Sequence, residues 1–266
     1  MKTALEDGRF SLVLSGGGAL GIAHLGVLHD LECRNLRPGE IVGTSMGGII
    51  GACMAVGMNE AAIFEQIRRF SGVFNWLTFS RSGNAMIDNK KIAKLFRALF
   101  GNRKMSETDI PLKLIATDLA DGTKCVFGPD DDVMMVDAVL ATMAIPGIFS
   151  EHTINGRVYG DGFLCENLGV NEAVLNTVLA VDVLGRNAFS STLPDNFFKT
   201  TNVLEMFERS MRLLTYNQTR THLEHFDRPV LLIEPDTSAY KTFHFHRARS
   251  IRALGLGLLD AAEADQ

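Results

Sequence analysis

The sequence contains no apolar run of about 20 residues, the length that a helix needs to cross a bilayer, so no membrane-spanning helix is predicted. Its first ten residues, MKTALEDGRF, carry acidic residues where a secretory signal needs a basic start and an apolar segment. Basic residues are also in the minority, with 26 Lys and Arg against 31 Asp and Glu and a net charge of −5. A nucleic acid partner is therefore not expected, and no polybasic segment is present to dock on anionic lipid.

Cysteine is scarce and scattered along the chain. The four cysteines form no CxxC pair and no zinc-like spacing: Cys33, Cys53, Cys125 and Cys165. In a chain of 266 residues this pattern argues against a disulfide scaffold and favours a reducing compartment. The protein is therefore expected to be cytoplasmic, with any membrane contact made peripherally, at the lipid surface. The oligomeric state stays open.

The composition is that of an ordinary globular protein, with 46% hydrophobic and 21% charged residues. No internal repeat, low-complexity tract or linker divides the chain, so one domain is predicted over residues 1–266. Within it, a motif-bearing core covers about 10–183, and a C-terminal strand and helices cover about 200–264. Strand, tight loop and helix follow one another twice near the start, which predicts parallel strands joined by crossover helices.

Periodicity and turn residues give the remaining elements. The predicted strands are Phe10–Leu14, Ile41-Val42, Leu112–Ala116, Lys124–Phe127, Val178–Val183, Val230–Ile233 and a hairpin around Asn155-Gly156. The predicted helices run from about Ser45 to Val56, Asp88 to Phe100, Asp130 to Ala144, Val203 to beyond Leu214, and Arg247 to Ala264. The segment Val73–Phe79 is rich in aromatic and aliphatic residues without a clear period. Part of it is expected to line an acyl-chain groove or to touch a lipid surface, and a plain core role is the alternative.

The strongest chemical signal is Gly43-Thr44-Ser45-Met46-Gly47, between a short strand and a helix. A nucleophilic serine must project from a sharp, strained turn, and glycine on both sides removes the Cβ atoms that would clash there. The start of a helix also supplies N–H groups that favour developing negative charge. The alternative is a glycine-rich turn that only packs a helix against a strand. The strand–turn–helix context favours Ser45 as a nucleophile.

A second glycine cluster, Gly16–Gly21, also follows a strand and precedes a helix. It matches the dinucleotide fingerprint GxGxxG, which requires an acidic residue at the end of the next strand. Here Gly43-Thr44-Ser45 stands at that end and Glu40 lies before the strand, so the nucleotide hypothesis fails. The other hypothesis is an oxyanion hole, in which consecutive N–H groups lie beside Ser45 at the carboxyl edge of a parallel sheet. A glycine turn that only permits tight packing is the remaining alternative.

A nucleophilic serine needs a base. None of the seven histidines stands in a glycine-rich turn of the kind that presents a catalytic group: His24, His29, His152, His222, His225, His244 and His246. An aspartate held within hydrogen-bond reach and shielded from water can serve instead. Asp121-Gly122 resembles an ordinary turn between two strands, whereas Asp161-Gly162 ends a strand abruptly between glycines. This difference favours Asp161.

Four ordered signals together resemble the patatin-like phospholipases. They are the glycine loop Gly16–Gly21, the serine motif Gly43–Gly47, the stretch Ala141–Gly147, and Asp161-Gly162. The resemblance extends over roughly Phe10 to Val183. It implies a three-layer α/β/α sandwich with a central, mostly parallel sheet.

The resemblance also implies a Ser-Asp dyad in place of a triad. Ser45 would be the nucleophile, Asp161 the proton acceptor, and the backbone N–H groups of Gly16, Gly17 and Gly18 the oxyanion hole. Four further glycines would support these motifs: Gly21, Gly43, Gly47 and Gly162. The family's substrates are acyl lipids, including phospholipids, lysophospholipids and acylglycerols. No metal or organic cofactor is implied.

Two positions depart from the family pattern. Leu20 stands where the glycine loop usually carries Arg or Lys, and Phe163 stands where Gly or Ala usually follows Asp-Gly. An apolar Leu20 offers no bond to a phosphate, so neutral acyl esters are expected to be cleaved at least as well as phospholipids.

Three rival functions remain. An acyltransferase would use the same dyad, and a non-catalytic binding protein would keep only the fold. An α/β-hydrolase would use a histidine triad, in which one of the histidines approaches Ser45.

Overall fold

The framework is a mixed sheet with strand order β5-β6-β3-β2-β1-β7-β8, in which β4 pairs with β3 at the side. The computed structural model describes residues 5–75, 89–189 and 203–264. The strands are β1 (Phe10–Leu14), β2 (Glu40–Thr44), β3 (Leu112–Asp118), β4 (Lys124–Phe127), β5 (His152–Ile154), β6 (Arg157–Asp161), β7 (Thr177–Val181) and β8 (Val230–Ile233). Neighbours from β3 through β2, β1 and β7 to β8 are parallel, while β6 runs antiparallel to β3. The prediction of a mostly parallel sheet is confirmed.

Helices cover both faces of the sheet. Successive side chains of a strand point to opposite faces, so both faces carry apolar residues that the helices bury. The helices are α1 (His24–Cys33), α2 (Ser45–Ala55), α3 (Glu60–Asn75), α4 (Asn89–Phe100), α5 (Met135–Thr142), α6 (Val203–Glu224), α7 (Ala248–Ala253) and α8 (Leu258–Ala264). In β1, Leu12 and Leu14 belong to the larger apolar core, whereas Val13 belongs to a second core on the other face. Leu223 of α6 packs against that second core. The result is the predicted three-layer α/β/α arrangement.

The hairpin predicted at Asn155-Gly156 is confirmed, and it forms the outer edge of the sheet. Asn155 and Gly156 have φ values of 51° and 80°, the signature of the two-residue turn that matches strand twist. Because β6 pairs with β3 in antiparallel register, its last residue, Asp161, lies opposite Ala116. The hairpin therefore carries Asp161 into the sheet.

Two predicted helix boundaries are wrong. The helix expected from Asp130 begins at Met135, because the carboxylate of Asp131 accepts the N–H of Gly128 at 2.7 Å and thus closes a turn instead of capping a helix. The helix expected over Arg247–Ala264 is interrupted between α7 and α8. Gly255 approaches α1 so closely that a Cβ there would lie 2.1 Å from the carbonyl oxygen of Ala23.

The aromatic segment Val73–Phe79 is only partly described. Its first three residues belong to α3, which ends at Asn75, and Trp76, Leu77 and Phe79 lie outside the described residues. Within the described ranges, no helix is both long and apolar enough to cross a membrane.

Candidate active site

Ser45 lies at the junction of β2 and α2 and is the first residue of that helix. Its φ is 53°, a strained value for a residue with a side chain. The turn tolerates this geometry because glycine flanks it: a Cβ on Gly43 would lie 2.6 Å from Gly48 Cα, and one on Gly47 would lie 2.4 Å from the carbonyl oxygen of Leu14. The tight strand–turn–helix predicted for this motif is thus present, and it projects the serine at the carboxyl edge of the sheet.

Asp161 reaches Ser45 from the end of β6. The Ser45 hydroxyl donates a hydrogen bond to Asp161 Oδ2 at 2.6 Å, and the N–H of Phe163 donates to Oδ1 at 3.0 Å. The carboxylate is fully buried, and burial raises its pKa from 3.8 to about 7, although both hydrogen bonds act to lower it. A carboxylate with that pKa is a competent proton acceptor near neutral pH.

The backbone around Asp161 is fixed by β3. The hydroxyl of Thr117 donates to the carbonyl oxygen of Asp161 at 2.9 Å. Gly162 fits because no Cβ is present, since a Cβ there would lie 2.3 Å from the carbonyl oxygen of Ile115. The side chain of Phe163 is partly exposed. Asp161 is therefore held by strand pairing and by close backbone contact, not by a free loop.

The glycine loop lies beside Ser45 at the end of β1, but its N–H groups are not equivalent. The N–H of Gly16 donates to the carbonyl oxygen of Asn167 at 3.2 Å. This N–H is engaged within the protein, and a contribution of Gly16 to an oxyanion hole stays a prediction. Gly17 and Gly18 stand at the start of a 3-10 helix, Gly18–Ala23, where N–H groups lack intrahelical acceptors.

Gly21 serves packing. A Cβ on this residue would lie 2.6 Å from Met46 Cγ, so glycine lets the 3-10 helix rest on the residue that follows the serine.

An apolar cavity opens next to Ser45. It is lined by Gly18, Ser45, Met46, Ile49, Met143, Ile145, Phe149, Phe243 and Phe245. The volume open to the centre of a water molecule is about 20 Å³, room for roughly one water. An acyl chain would enter only if some of the lining side chains moved, and the lining would then present it with hydrocarbon surface.

Comparison with known proteins identifies the family. The model of the patatin-like phospholipases matches residues 12–174. The chain belongs to this family.

Curated relatives agree with the patatin-like assignment. An uncharacterized NTE family protein of Mycobacterium tuberculosis is 32% identical over 189 residues, which are 68% of this chain and 50% of that protein. The lysophospholipase NTE1 of Candida glabrata is 28% identical over 281 residues, 94% of this chain and 16% of that protein. The chain thus spans half the length of the first relative and a smaller part of the second. Among solved structures, VipD from Legionella pneumophila aligns with 95% of this chain and 67% of its own, at a TM-score of 0.47 and 13% identity.

Leu20, the departure from the patatin-like glycine loop, is completely buried in the larger core. Its side chain packs inward and offers nothing to a ligand at Ser45. Hydrophobic burial thus explains how this position tolerates an apolar residue.

The histidines do not complete a triad. All seven lie in the described ranges, and none of them is hydrogen-bonded to Ser45 there. His24 is fully buried, and its Nε2–H donates to the carbonyl oxygen of Ser15 at 2.8 Å. Burial lowers the pKa of His24 to about 4, so its ring is neutral and acts as a support below the glycine loop.

Two residues at the site were not predicted from the sequence. The hydroxyl of Thr142, at the end of α5, accepts the backbone N–H of Ser45 at 3.0 Å and donates to the carbonyl oxygen of Ile115. Asn167 contacts the glycine loop through Gly16. Thr142 lies inside the Ala141–Gly147 stretch, which drew attention as a motif, whereas Asn167 carried no sequence signal of its own.

Proposed function

We propose that this protein hydrolyses acyl esters of lipids through a dyad of Ser45 and Asp161. The observation that carries the proposal is the buried 2.6 Å hydrogen bond from the Ser45 hydroxyl to the Asp161 carboxylate, beside an apolar cavity. A serine with an adjacent proton acceptor is the arrangement that activates a weak nucleophile.

In the first half-reaction, Ser45 Oγ forms a bond to the ester carbonyl carbon while its proton passes to Asp161. The electron pair of the C=O double bond moves onto the carbonyl oxygen, which the N–H groups of Gly17 and Gly18 would stabilise. The intermediate collapses, the bond to the alcohol oxygen breaks, and that oxygen takes the proton from Asp161. An acyl-enzyme remains on Ser45.

In the second half-reaction, water replaces the alcohol. Asp161 accepts a proton from water, the hydroxide oxygen bonds to the acyl carbon, and Ser45 Oγ leaves and recovers the proton. A fatty acid is released. Transfer of the acyl group to another alcohol would follow the same course, with that alcohol in place of water.

The walls of the site support a lipid-like substrate class. The cavity beside Ser45 is lined by aliphatic, sulfur-containing and aromatic side chains, which suit a hydrocarbon chain and offer no charge to a polar acid. The relatedness to a lysophospholipase supports the same class. We infer that acyl glycerides and lysophospholipids are the substrates to test first.

The test uses Ser45→Ala. This variant should lose p-nitrophenyl ester hydrolysis by several orders of magnitude and should not react with a fluorophosphonate, because the nucleophile is absent. Ser210→Ala is the matched control: Ser210 is exposed on α6, and its hydroxyl donates to the carbonyl oxygen of Met206 one turn earlier in the same helix. It should hydrolyse the ester and react with the probe like the wild type. Hydrolysis by a folded Ser45→Ala at the wild-type rate would refute the proposal.

A further inference from the structure

Asn167 carries a buried side-chain amide without a hydrogen-bond partner among the described residues. The residue is 1% exposed, and neither its Oδ1 nor its Nδ2 has a hydrogen bond within the described part of the chain. Leaving an amide buried and unpaired costs stability, and such groups are rare in native proteins. An unpaired amide at this place therefore calls for a functional explanation.

The backbone of Asn167 joins the two loops of the candidate site. The carbonyl oxygen of Asn167 accepts the N–H of Gly16 at 3.2 Å, and the carbonyl oxygen of Glu166 accepts the hydroxyl of Thr44 at 3.2 Å. The ends of β1 and β2 are therefore both tied to this segment. Asn167 is fixed between the glycine loop and the serine turn.

The side chain of Asn167 points toward the serine side of Gly16. A Cβ added to Gly16 would lie 2.6 Å from Asn167 Oδ1 and 3.1 Å from Ser45 Cβ. The terminal amide of Asn167 and the Ser45 side chain thus flank the same point, and only a glycine at position 16 leaves that space open. The unpaired amide is next to the nucleophile.

The hydrogen bonds of the neighbouring groups show which of them are not partners of the Asn167 side-chain amide. Both oxygens of Asp161 are already engaged, Oδ2 by Ser45 and Oδ1 by the N–H of Phe163. The N–H of Gly16 donates to the backbone carbonyl oxygen of Asn167. The backbone of Asn167 thus engages one donor of the glycine loop, while its side-chain amide, whose Oδ1 lies beside Gly16, also carries two N–H donors on Nδ2.

We propose that Asn167 is a further catalytic residue, whose Nδ2–H donates a hydrogen bond to the ester carbonyl oxygen as that oxygen becomes negative. This inference rests on the proposed function. A neutral amide suits the task, because it donates without adding a charge that would compete with Asp161. The bond forms only when substrate is present, which accounts for the unpaired amide in the free protein. Donors of this kind act on the transition state more than on the bound substrate.

The test compares Asn167→Ala with Asn171→Ala. Removing one side-chain donor to an oxyanion typically lowers kcat by about 10²–10³-fold, so Asn167→Ala should show that loss with KM within about threefold. It should also react more slowly with a fluorophosphonate, because the phosphoryl oxygen uses the same donors. The melting temperature should not fall, since no hydrogen bond is lost in the free protein.

Asn171 provides the control on the same segment. Its Nδ2 donates to Glu166 Oε1 at 3.2 Å, so Asn171→Ala should keep its kcat and lose a little stability. Asn167→Asp keeps the shape but replaces the donor with an acceptor, and it should be at least as impaired as Asn167→Ala.

Two results would overturn the role of Asn167. One is an Asn167→Ala enzyme with wild-type kcat. The other is a loss of kcat accompanied by an equal loss in Asn171→Ala or by a lowered melting temperature, which would make Asn167 a packing residue. The wild type and Ser45→Ala run in parallel: an inactive wild type refutes the dyad itself, and with it this inference, whereas an active wild type with an unimpaired Asn167→Ala refutes only Asn167.

Discussion

Two Asp-Gly pairs follow strands of the same sheet, and they have opposite surroundings. Asp121 is exposed, and the hydroxyl and N–H of Thr123 donate to its Oδ1 at 2.6 and 2.9 Å. These hydrogen bonds, that from the hydroxyl above all, lower the pKa of Asp121. Asp161 is fully buried, and burial raises its pKa to about 7. The same dipeptide thus gives an exposed carboxylate of lowered pKa in one place and a buried carboxyl of raised pKa in the other.

The difference lies in what covers each pair. Asp161 is at the end of an interior strand, where its carboxylate accepts the Ser45 hydroxyl and its N–H donates to the carbonyl oxygen of Ala144. Asp121 instead stands on the exposed connection from β3 to β4. Withdrawing a carboxylate from water disfavours its charge far more than one neutral hydrogen bond restores. Burial, not residue type, therefore separates the proposed catalytic carboxylate from the turn carboxylate.

The largest expected effect comes from removing each carboxylate in turn. Asp161→Asn should lower kcat/KM for ester hydrolysis by about 10³-fold or more, because the amide cannot accept the proton of Ser45. Asp121→Asn should stay within about twofold of the wild type. Steady-state kinetics on one p-nitrophenyl ester measures both. Similar losses for the two variants would remove the distinction drawn between the turns.

Thermal unfolding separates loss of the base from loss of the fold. Ionising Asp161 opposes folding, because its pKa is raised from 3.8 in water to about 7 in the folded protein. Its contribution to stability is therefore lost as the pH rises through that interval. Asp161→Asn should unfold at a higher temperature than the wild type at pH 8 and show less difference at pH 4. A variant that is inactive because it folds poorly would instead unfold at a lower temperature than the wild type at pH 8.

The pH dependence of the rate gives a second, smaller effect. The base must be ionised to accept a proton, so kcat/KM should rise about tenfold per pH unit below the pKa of Asp161, which is about 7, and level off above it. Asp121→Asn should follow the same curve, since Asp121 is ionised throughout. A flat profile between pH 5 and 8 would show that a group other than Asp161 accepts the proton.

The smallest effect concerns the threonine beside each turn. Thr117 donates to the Asp161 carbonyl oxygen, and Thr123 donates to the Asp121 carboxylate. Thr117→Val keeps the shape and removes one hydrogen bond, worth about 1 kcal/mol, so kcat should fall about fivefold as the base loses its orientation. Thr123→Val should leave kcat unchanged. An equal kcat for Thr117→Val and Thr123→Val would show that strand pairing alone positions Asp161.

Much of the scaffold could be predicted from local patterns. The hairpin at Asn155-Gly156 requires two residues with positive φ, and Asn-Gly is the pair that adopts them most readily. The turn at Ser45 needs glycine on both sides, which the sequence shows directly. Two helix boundaries were wrong: Asp131 closes a local turn with Gly128 in place of capping a helix, and Gly255 closes on α1 from a distant part of the chain.

The sequence by itself determined the order of strands and helices, the strained serine turn and the glycine loop, because each depends on residues close together in the chain. Only the tertiary structure decided which groups of the site are free to act. The N–H of Gly16 donates to the carbonyl oxygen of Asn167, which lies 151 positions later. Beside Ser45, the side-chain amide of Asn167 has no hydrogen-bond partner among the described residues. Asp161 took its raised pKa from burial. Burial and hydrogen-bond pairing between distant segments are properties of the packed chain, and no local pattern encodes them.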